Sequence, residues 1–377
     1  MMHVFNEEER EILTAVKRFC EDRIKPAASA IDEEDVFPRE LYTELGKAGI
    51  LALTAPEEYG GLEISVHCWL ECLSLISAAS ASLSMSVTAC SSLMFLVSRF
   101  ASEELGQKCL PKLATGEAIM CACITEPNAG SDVSSIATTA VLDGEHYLVN
   151  GSKIFITSGS VADYFVIFAK TRVGDKEGLI CLLADKTMPG IRITRDEKKL
   201  GMRGSVTSEL WFEDLRVPID HVIGNAGDGF KVAYNTLERG RLYVAAMGLG
   251  IARAAQEAAV EYSKTRVQYG KPICKYQAIQ NKLVDMEIGI DAGHALVHSI
   301  AERIERGEQT IKQASCAKVF CSELAERVTA EALQVFGGYG YCKDYPVERY
   351  FRDAKALPIF EGANEVQRNI IGKVILA

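Results

Sequence analysis

Apolar residues recur with a helical period at both ends of the chain and fall into short, turn-bounded runs in its middle. Residues 6 to about 118 read as helical. Asn6 can cap the first helix with Glu9 as its capping-box partner, and Ile12, Val16, Phe19 and Cys20 then share one face. Pro26 closes that segment or re-aims it, and Tyr59-Gly-Gly-Leu is a turn. No charge occurs from Leu73 to Ser98, a length that could span a bilayer. The many serines inside it, from Ser74 to Ser92, argue instead for a buried pair of helices lining an apolar cavity. Near Ile119 the pattern changes. Asp143-Gly144 and Asn150-Gly151 are turn signals, and apolar runs at Ile154–Ile156, Phe165–Phe168, Leu179–Leu183 and Leu210–Phe212 read as strands of a sandwich or barrel ending near Gly224. Helical periodicity returns at about Gly229 and continues over Tyr234–Arg266, Ile273–Arg303 and Thr310–Phe336, with a short helix after Asn364.

Helices, then strands, then helices predict a multi-domain α+β chain. The expected units are an N-terminal helical domain over 1–118, a β-barrel or sandwich over 119–225 and a C-terminal four-helix bundle over 226–377.

Composition adds exclusions. The 377 residues are 48% hydrophobic and 24% charged, an ordinary globular balance with enough chain for a sizeable core. A net charge of −10 without a basic block disfavours a nucleic-acid partner. The acidic N-terminus lacks the apolar stretch of a secretory signal, and no membrane span is expected. Twelve cysteines are scattered without C-x-x-C pairs, so buried free thiols in a reducing compartment are expected and zinc is not. His294 and His298 have the spacing of half a metal site, but no glutamate follows His294 as a metalloprotease motif requires, and they read as ordinary helix residues.

Candidate chemistry gathers around Pro358-Ile-Phe-Glu361-Gly-Ala-Asn-Glu365-Val-Gln-Arg368. Leu357, Ile359 and Phe360 offer Glu361 low-dielectric surroundings, and Gly362 lets a ligand or backbone come close. Such a setting raises a carboxylate's pKa and suits a general base acting on a weakly acidic C–H. The same acid would also suit the first turn of a C-terminal helix. Upstream, Thr125-Glu-Pro-Asn-Ala-Gly-Ser-Asp132 offers hydroxyls and free N–H groups for a phosphate or a polar ring edge. Phe155 and Thr157, two apart on a strand, share a face. Arg266-Val-Gln-Tyr269 ends a long helix, and Gln334-Val-Phe-Gly-Gly338 could be a bare helix end. Gly248-Leu-Gly250 follows no strand, so no dinucleotide fingerprint is present.

In order and spacing, these stretches, with Asn150-Gly-Ser-Lys-Ile-Phe-Ile-Thr157 and Tyr345-Pro-Val-Glu-Arg-Tyr-Phe-Arg-Asp-Ala-Lys355, resemble the acyl-CoA dehydrogenase family over essentially the whole chain. Its short-chain, butyryl-CoA-type members look most similar. The resemblance implies FAD held between the β-domain and the bundle of a homotetramer, with electrons passed from an acyl-CoA to electron-transfer flavoprotein. Ile124 and Thr125 would meet the flavin's pyrimidine side, Phe155 would pack on the ring, and Thr157 would hydrogen-bond near N5. Ser131 would lie by the pyrophosphate and the acyl-CoA. Arg266, Gln268 and Tyr269, with Gln334 and Gly338, would grip the adenosine part across a subunit interface, and Ala363 and Glu365 fall at cofactor positions. Arg241 matches an arginine near the CoA chain, and Phe360 and Gly362 would touch substrate.

Glu361 matches the family's catalytic glutamate, which takes the α-proton while flavin N5 accepts the β-hydride. The thioester oxygen would be held by the glutamate's own N–H and a flavin ribityl hydroxyl. Some members carry the base on the helix holding Leu237-Glu-Arg-Gly-Arg241, where the matching position here is Gly240, without a side chain. Phe360 and Ala363 depart from the family's usual Tyr and Thr, which bears on acyl specificity and on cofactor contacts. Leu83 and its neighbours lack the arginine of glutaryl-CoA members, which disfavours a dicarboxylyl substrate and favours a short, branched or alicyclic acyl group. Oxidases of this superfamily are longer, and monooxygenases or non-catalytic members would not need Glu361. The implied compartment is a bacterial cytoplasm, or the mitochondrial matrix in a eukaryote.

Overall fold

The structure, a computed structural model, describes residues 4–376, apart from the side chains of Leu237 and Glu238. Six helices open the chain: α1 (Glu7–Phe19), α2 (Lys25–Glu34), α3 (Arg39–Lys47), α4 (Val66–Ala79), α5 (Ala81–Phe100) and α6 (Glu103–Ala114). The capping box at Asn6 forms in both directions: Glu9 N donates to Asn6 Oδ1 at 2.8 Å, and Asn6 N donates to Glu9 Oε2 at 3.0 Å. Pro26 does not end the first helical segment. A π-helical turn over Cys20–Ile24 leads into α2, which carries Pro26 in its first turn, where no N–H is required.

By length and composition α5 could cross a membrane, yet it is 78% buried. Its serines, and those of α4, are absorbed locally: Ser77 donates to Met247 O at 2.9 Å, Ser91 meets Thr54 at 2.9 Å, and Ser80 caps α5.

Seven strands form one mixed sheet: β1 (Met120–Cys123), β2 (Thr139–Asp143), β3 (His146–Thr157), β4 (Tyr164–Val173), β5 (Lys176–Asp185), β6 (Ile191–Asp196) and β7 (Thr207–Pro218). They run in the order β1-β4-β2-β3-β7-β6, with β5 also paired to β4. The Asp143-Gly144 signal is a true hairpin turn, since Asp143 pairs with His146 and Gly144 takes φ 62°. The Asn150-Gly151 signal is not a turn. Strand β3 continues through it with a bulge, and Gly151 (φ 149°) is needed because a Cβ there would lie 2.7 Å from Thr138 Cα.

The C-terminal part comprises α7 (Gly229–Thr265), a two-stranded hairpin of β8 (Val267–Gln268) and β9 (Lys271–Pro272), α8 (Gln277–Glu305), α9 (Ile311–Phe336), α10 (Val347–Ala354) and α11 (Asn364–Ile375). Apolar periodicity alone does not mark α10, whose eight residues, Val347-Glu-Arg-Tyr-Phe-Arg-Asp-Ala354, are half charged. Two cores result. Leu73, Leu83 and Leu93 of the first helices share one apolar cluster with Val244 and Leu324 of the last ones and with Leu357 in the turn after α10. The sheet encloses its own cluster around Val149, Phe165, Leu182 and Phe212.

Candidate active site

Glu361 sits in the connection between α10 and α11, in a left-handed backbone conformation (φ 53°), with Gly362 (φ 85°) following in the same region. A non-glycine residue held there carries strain of about 1–3 kcal/mol, which the surroundings must compensate. The compensation is visible on α9 and α11. Lys318 Nζ donates to Gly362 O and to Asn364 Oδ1, both at 2.9 Å, and Gln367 Nε2 donates to Gly362 O at 3.1 Å. Lys318 is fully buried among the apolar residues of α9, and burial pulls its pKa down to about 8. Sequence reasoning missed it, because a single lysine in a helical pattern reads as solvent-facing.

The Glu361 side chain reaches α7. A Cβ built on Gly240 would lie 2.9 Å from Glu361 Oε2, so the glycine makes room for the carboxylate. Burial pushes the Glu361 carboxyl above its ordinary range, and the charges of Arg241 and Lys318 hold back part of that rise. Arg241 is buried close to the carboxylate. Leu357 is fully buried and Phe360 packs on the core, as expected of a low-dielectric wall. Ile359 is not part of it, being 63% exposed, because the turns between α10 and the Glu361 loop point it outward.

A second group gathers at the edge of the sheet. Ile154 N donates to Thr125 O at 2.9 Å, which binds the Thr125 loop to β3. Behind it Lys153 Nζ donates to Ile124 O (3.0 Å), Glu126 Oε1 (2.8 Å) and Phe168 O (2.8 Å). The Glu126 carboxylate accepts from Ala137 N at 2.6 Å and Thr138 N at 3.0 Å. Burial lowers the Lys153 pKa. It opposes ionisation of Glu126 too, yet hydrogen bonds from Lys153, Thr138 and Ala137 keep Glu126 below its ordinary value, so the pair stays charged. This buried brace was also unread in the sequence. Phe155 and Thr157 flank buried Ile156. A second bulge on β3 gives Phe155 φ 59° and leaves its ring 61% exposed. Ser131 lies exposed on the turn beyond Ala129.

The third group caps α7. Arg266 is the residue after the helix, and Tyr269-Gly270, both with positive φ (49° and 77°), form the two-residue turn of the β8–β9 hairpin. Gln268 and Tyr269 are exposed, Tyr269 almost fully at 95%. The Arg266 guanidinium lies 5.4 Å from the Tyr339 ring; Gln334, in the last turn of α9, and Gly338, just before Tyr339, are exposed. A cleft of 530 Å³ opens here among Tyr262, Arg266, Phe336, Tyr339 and Tyr345. Ala363 is half-buried and precedes α11, whereas Glu365 faces solvent.

These groups fit a flavin dinucleotide by their chemistry. An exposed aromatic ring and hydroxyls on a braced strand suit a fused ring with polar edges, and an arginine beside an aromatic cleft suits a purine.

Comparison with known proteins agrees over the full length. The acyl-CoA dehydrogenase N-terminal domain matches residues 6–117, the middle domain 121–215 and the C-terminal domain 227–376. A short-chain-specific acyl-CoA dehydrogenase of Clostridium acetobutylicum is 41% identical over 97% of this chain and 98% of its own. The structure of butyryl-CoA dehydrogenase from Megasphaera elsdenii is similar with a TM-score of 0.96, at 38% identity and complete coverage of both chains. A chain from a structure of the electron-transferring flavoprotein of Acidaminococcus fermentans, studied for flavin-based electron bifurcation, superposes with a TM-score of 0.97, at 39% identity over 100% of both chains.

Proposed function

The chain belongs to the acyl-CoA dehydrogenase family, and from that premise we propose that Glu361 is the base that takes the α-proton of a short or compact acyl-CoA thioester. The protein is an FAD-dependent oxidoreductase that acts on acyl-CoA. The observation that carries the assignment to Glu361 is its approach to Gly240. A base on α7 and a base at 361 would converge on one point, and here only position 361 supplies a side chain.

The chemistry follows from the surroundings. The thioester carbonyl acidifies the α-hydrogen, and the Glu361 N–H is assigned as a donor to the oxygen on which charge develops. The Cα–H bond breaks, its proton goes to the Glu361 carboxylate, and its electron pair becomes the new Cα=Cβ bond. When bound, FAD supplies the acceptor for the electron pair that leaves with the β-hydrogen. Thr125, Phe155 and Thr157 are assigned to its ring system, with Ile124 and Ser131 beside them, and the Lys153–Glu126 brace keeps their loop and strand in register. Arg266, Gln268, Tyr269, Gln334 and Gly338 are assigned to the adenosine part of a neighbour's FAD in a homotetramer. That assignment gives the exposed hairpin a partner. Electrons pass on to electron-transfer flavoprotein.

The uncharged stretch from Leu73 to Ser98, within α4 and α5, is assigned to the distal acyl wall. Burying an unpaired carboxylate there costs several kcal/mol, so glutaryl-CoA should be rejected. Each buried methylene is worth only about 0.8 kcal/mol, so neighbouring chain lengths should differ by about fourfold until the pocket is full. Values of kcat/KM along C4, C6, C8 and C12 thioesters, with glutaryl- and cyclohexanecarboxyl-CoA, test this, and a maximum at C12 or efficient glutaryl turnover would contradict it. The base itself is tested by Glu361→Gln, which keeps shape, FAD and ligand binding while slowing anaerobic flavin bleaching by about 10²–10⁴-fold or more. Near-normal bleaching would overturn the assignment.

A further inference from the structure

Away from these residues, α4 and α8 face each other across a cluster of imidazoles and carboxylates. His294 and His298, one turn apart on α8, both direct Nε2 at the same atom, Oε1 of Glu71 on α4, at 2.5 and 2.8 Å. Their ring centres are 4.3 Å apart. On the far side of His298, its Nδ1 stands 2.8 Å from Nδ1 of His67, and the two rings stack with centres 5.1 Å apart. Nε2 of His67 lies 3.8 Å from carboxylate oxygens of both Glu302 and Glu305.

We propose that Glu71, His294 and His298 form a site for one divalent transition-metal ion, of which zinc is the best chemical match. The three donor atoms lie within 4.8 Å of one another. Zinc binds imidazole nitrogen and carboxylate oxygen at about 2.0–2.2 Å, so tetrahedral donors stand roughly 3.3 Å apart. The two Glu71–imidazole separations, 2.5 and 2.8 Å, therefore need to open by less than about 1 Å, which rotation about the Glu71 side-chain bonds supplies. Two imidazoles and one carboxylate select zinc, nickel or cobalt over calcium or magnesium, which prefer all-oxygen sets.

The surroundings complete the case. Metal on Nε2 of His298 fixes its proton on Nδ1, where it donates to Nδ1 of His67. The His67 proton then sits on Nε2, facing Glu302 and Glu305. One tautomer assignment thus fits the His298–His67 hydrogen bond and turns the His67 proton towards the two carboxylates, in the manner of the carboxylate–histidine outer shells that orient metal ligands. Those two glutamates also offset the positive charge left on a zinc bound by one carboxylate. The His294 side chain is 30% exposed, which gives an ion a path in and water a fourth coordination position. In the sequence only the His294–His298 half of the set is visible, because Glu71 lies 223 residues from His294.

The test uses the full-length, FAD-loaded protein, treated with chelator, exposed to zinc and desalted. One zinc per chain by elemental analysis is expected, with a rise in Tm, because the ion binds the folded state and ties α4 to α8. Cobalt in its place should give the visible bands of a nitrogen–oxygen site without thiolate charge transfer, which separates it from the 12 cysteines. His294→Gln and Glu71→Gln should each weaken zinc binding by about 100-fold while leaving FAD content unchanged. Should Glu71→Gln fold poorly by circular dichroism, His294→Gln, at the more exposed position, decides. Failure to retain zinc, equal retention by a His294→Gln/His298→Gln double variant, or a thiolate signature with cobalt would each overturn the proposal.

Discussion

At the scale of single residues, the candidate base depends on two neighbours that never face solvent. Gly240→Ala would put a methyl group 2.9 Å from Glu361 Oε2. The carboxylate must then move, and a shift of about 1 Å in a reacting group can cost about 100-fold. Flavin reduction should slow by that order while FAD content stays normal. The Glu361 carboxyl is raised by burial, so the active, ionised base is lost as pH falls through a midpoint above the ordinary carboxylate range. Lys318→Met removes one of the two cations that oppose this rise, so the midpoint of the pH profile should move to higher pH; an unchanged midpoint would show that Lys318 only anchors the loop. The low-dielectric setting of Glu361 was legible from Leu357 and Phe360, though not from Ile359. Lys318 was not, because its meaning lies in a carbonyl 44 positions away.

At the scale of elements, helices were easier to read than strands. The long apolar periods of α7, α8 and α9 match their observed spans closely. In the sheet, two bulges on β3 defeated local reading. At Asn150-Gly151 the turn-forming dipeptide lies mid-strand, because the close approach of Thr138 requires a glycine as strictly as a turn would. Helical periodicity and a basic helix end do not reveal that the residues after α7 fold into a hairpin. Under the proposed assignment of Arg266, Gln268 and Tyr269 to a neighbour's cofactor, cofactor retention would be coupled to assembly. Arg266→Ala should therefore weaken both FAD binding and the oligomer. A variant that stays yellow and fully assembled at high dilution, by absorbance and analytical ultracentrifugation, would refute that placement.

At the scale of the whole molecule, the Tyr345–Lys355 stretch joins all three parts of the chain. Arg352 holds Asp32 of α2 with two hydrogen bonds (2.9 and 2.6 Å), bonds Glu348 on its own helix, and donates to Leu200 O at 3.1 Å in the loop between β6 and β7. Asp353 accepts from Met202 N at 2.5 Å. Burial raises the Asp353 carboxyl from its ordinary 3.8 to about 7. Between these values the folded state binds more protons than the unfolded one, so stability should fall as pH rises through this window, by about 1.4 kcal/mol per unit at most. Asp353→Asn should flatten that slope in denaturant titrations at pH 5 and pH 8. The shared core of the first and last helices has one further consequence, for synthesis on the ribosome. The sheet's cluster can close as soon as residues up to about 217 have emerged. The first six helices must wait for α7 and α9 with the faces those helices cover exposed, a delay of roughly 10–40 seconds at about 5–20 residues per second. Nascent chains stalled before residue 229 should therefore be cleaved by protease in α4 and α5 while the sheet already resists.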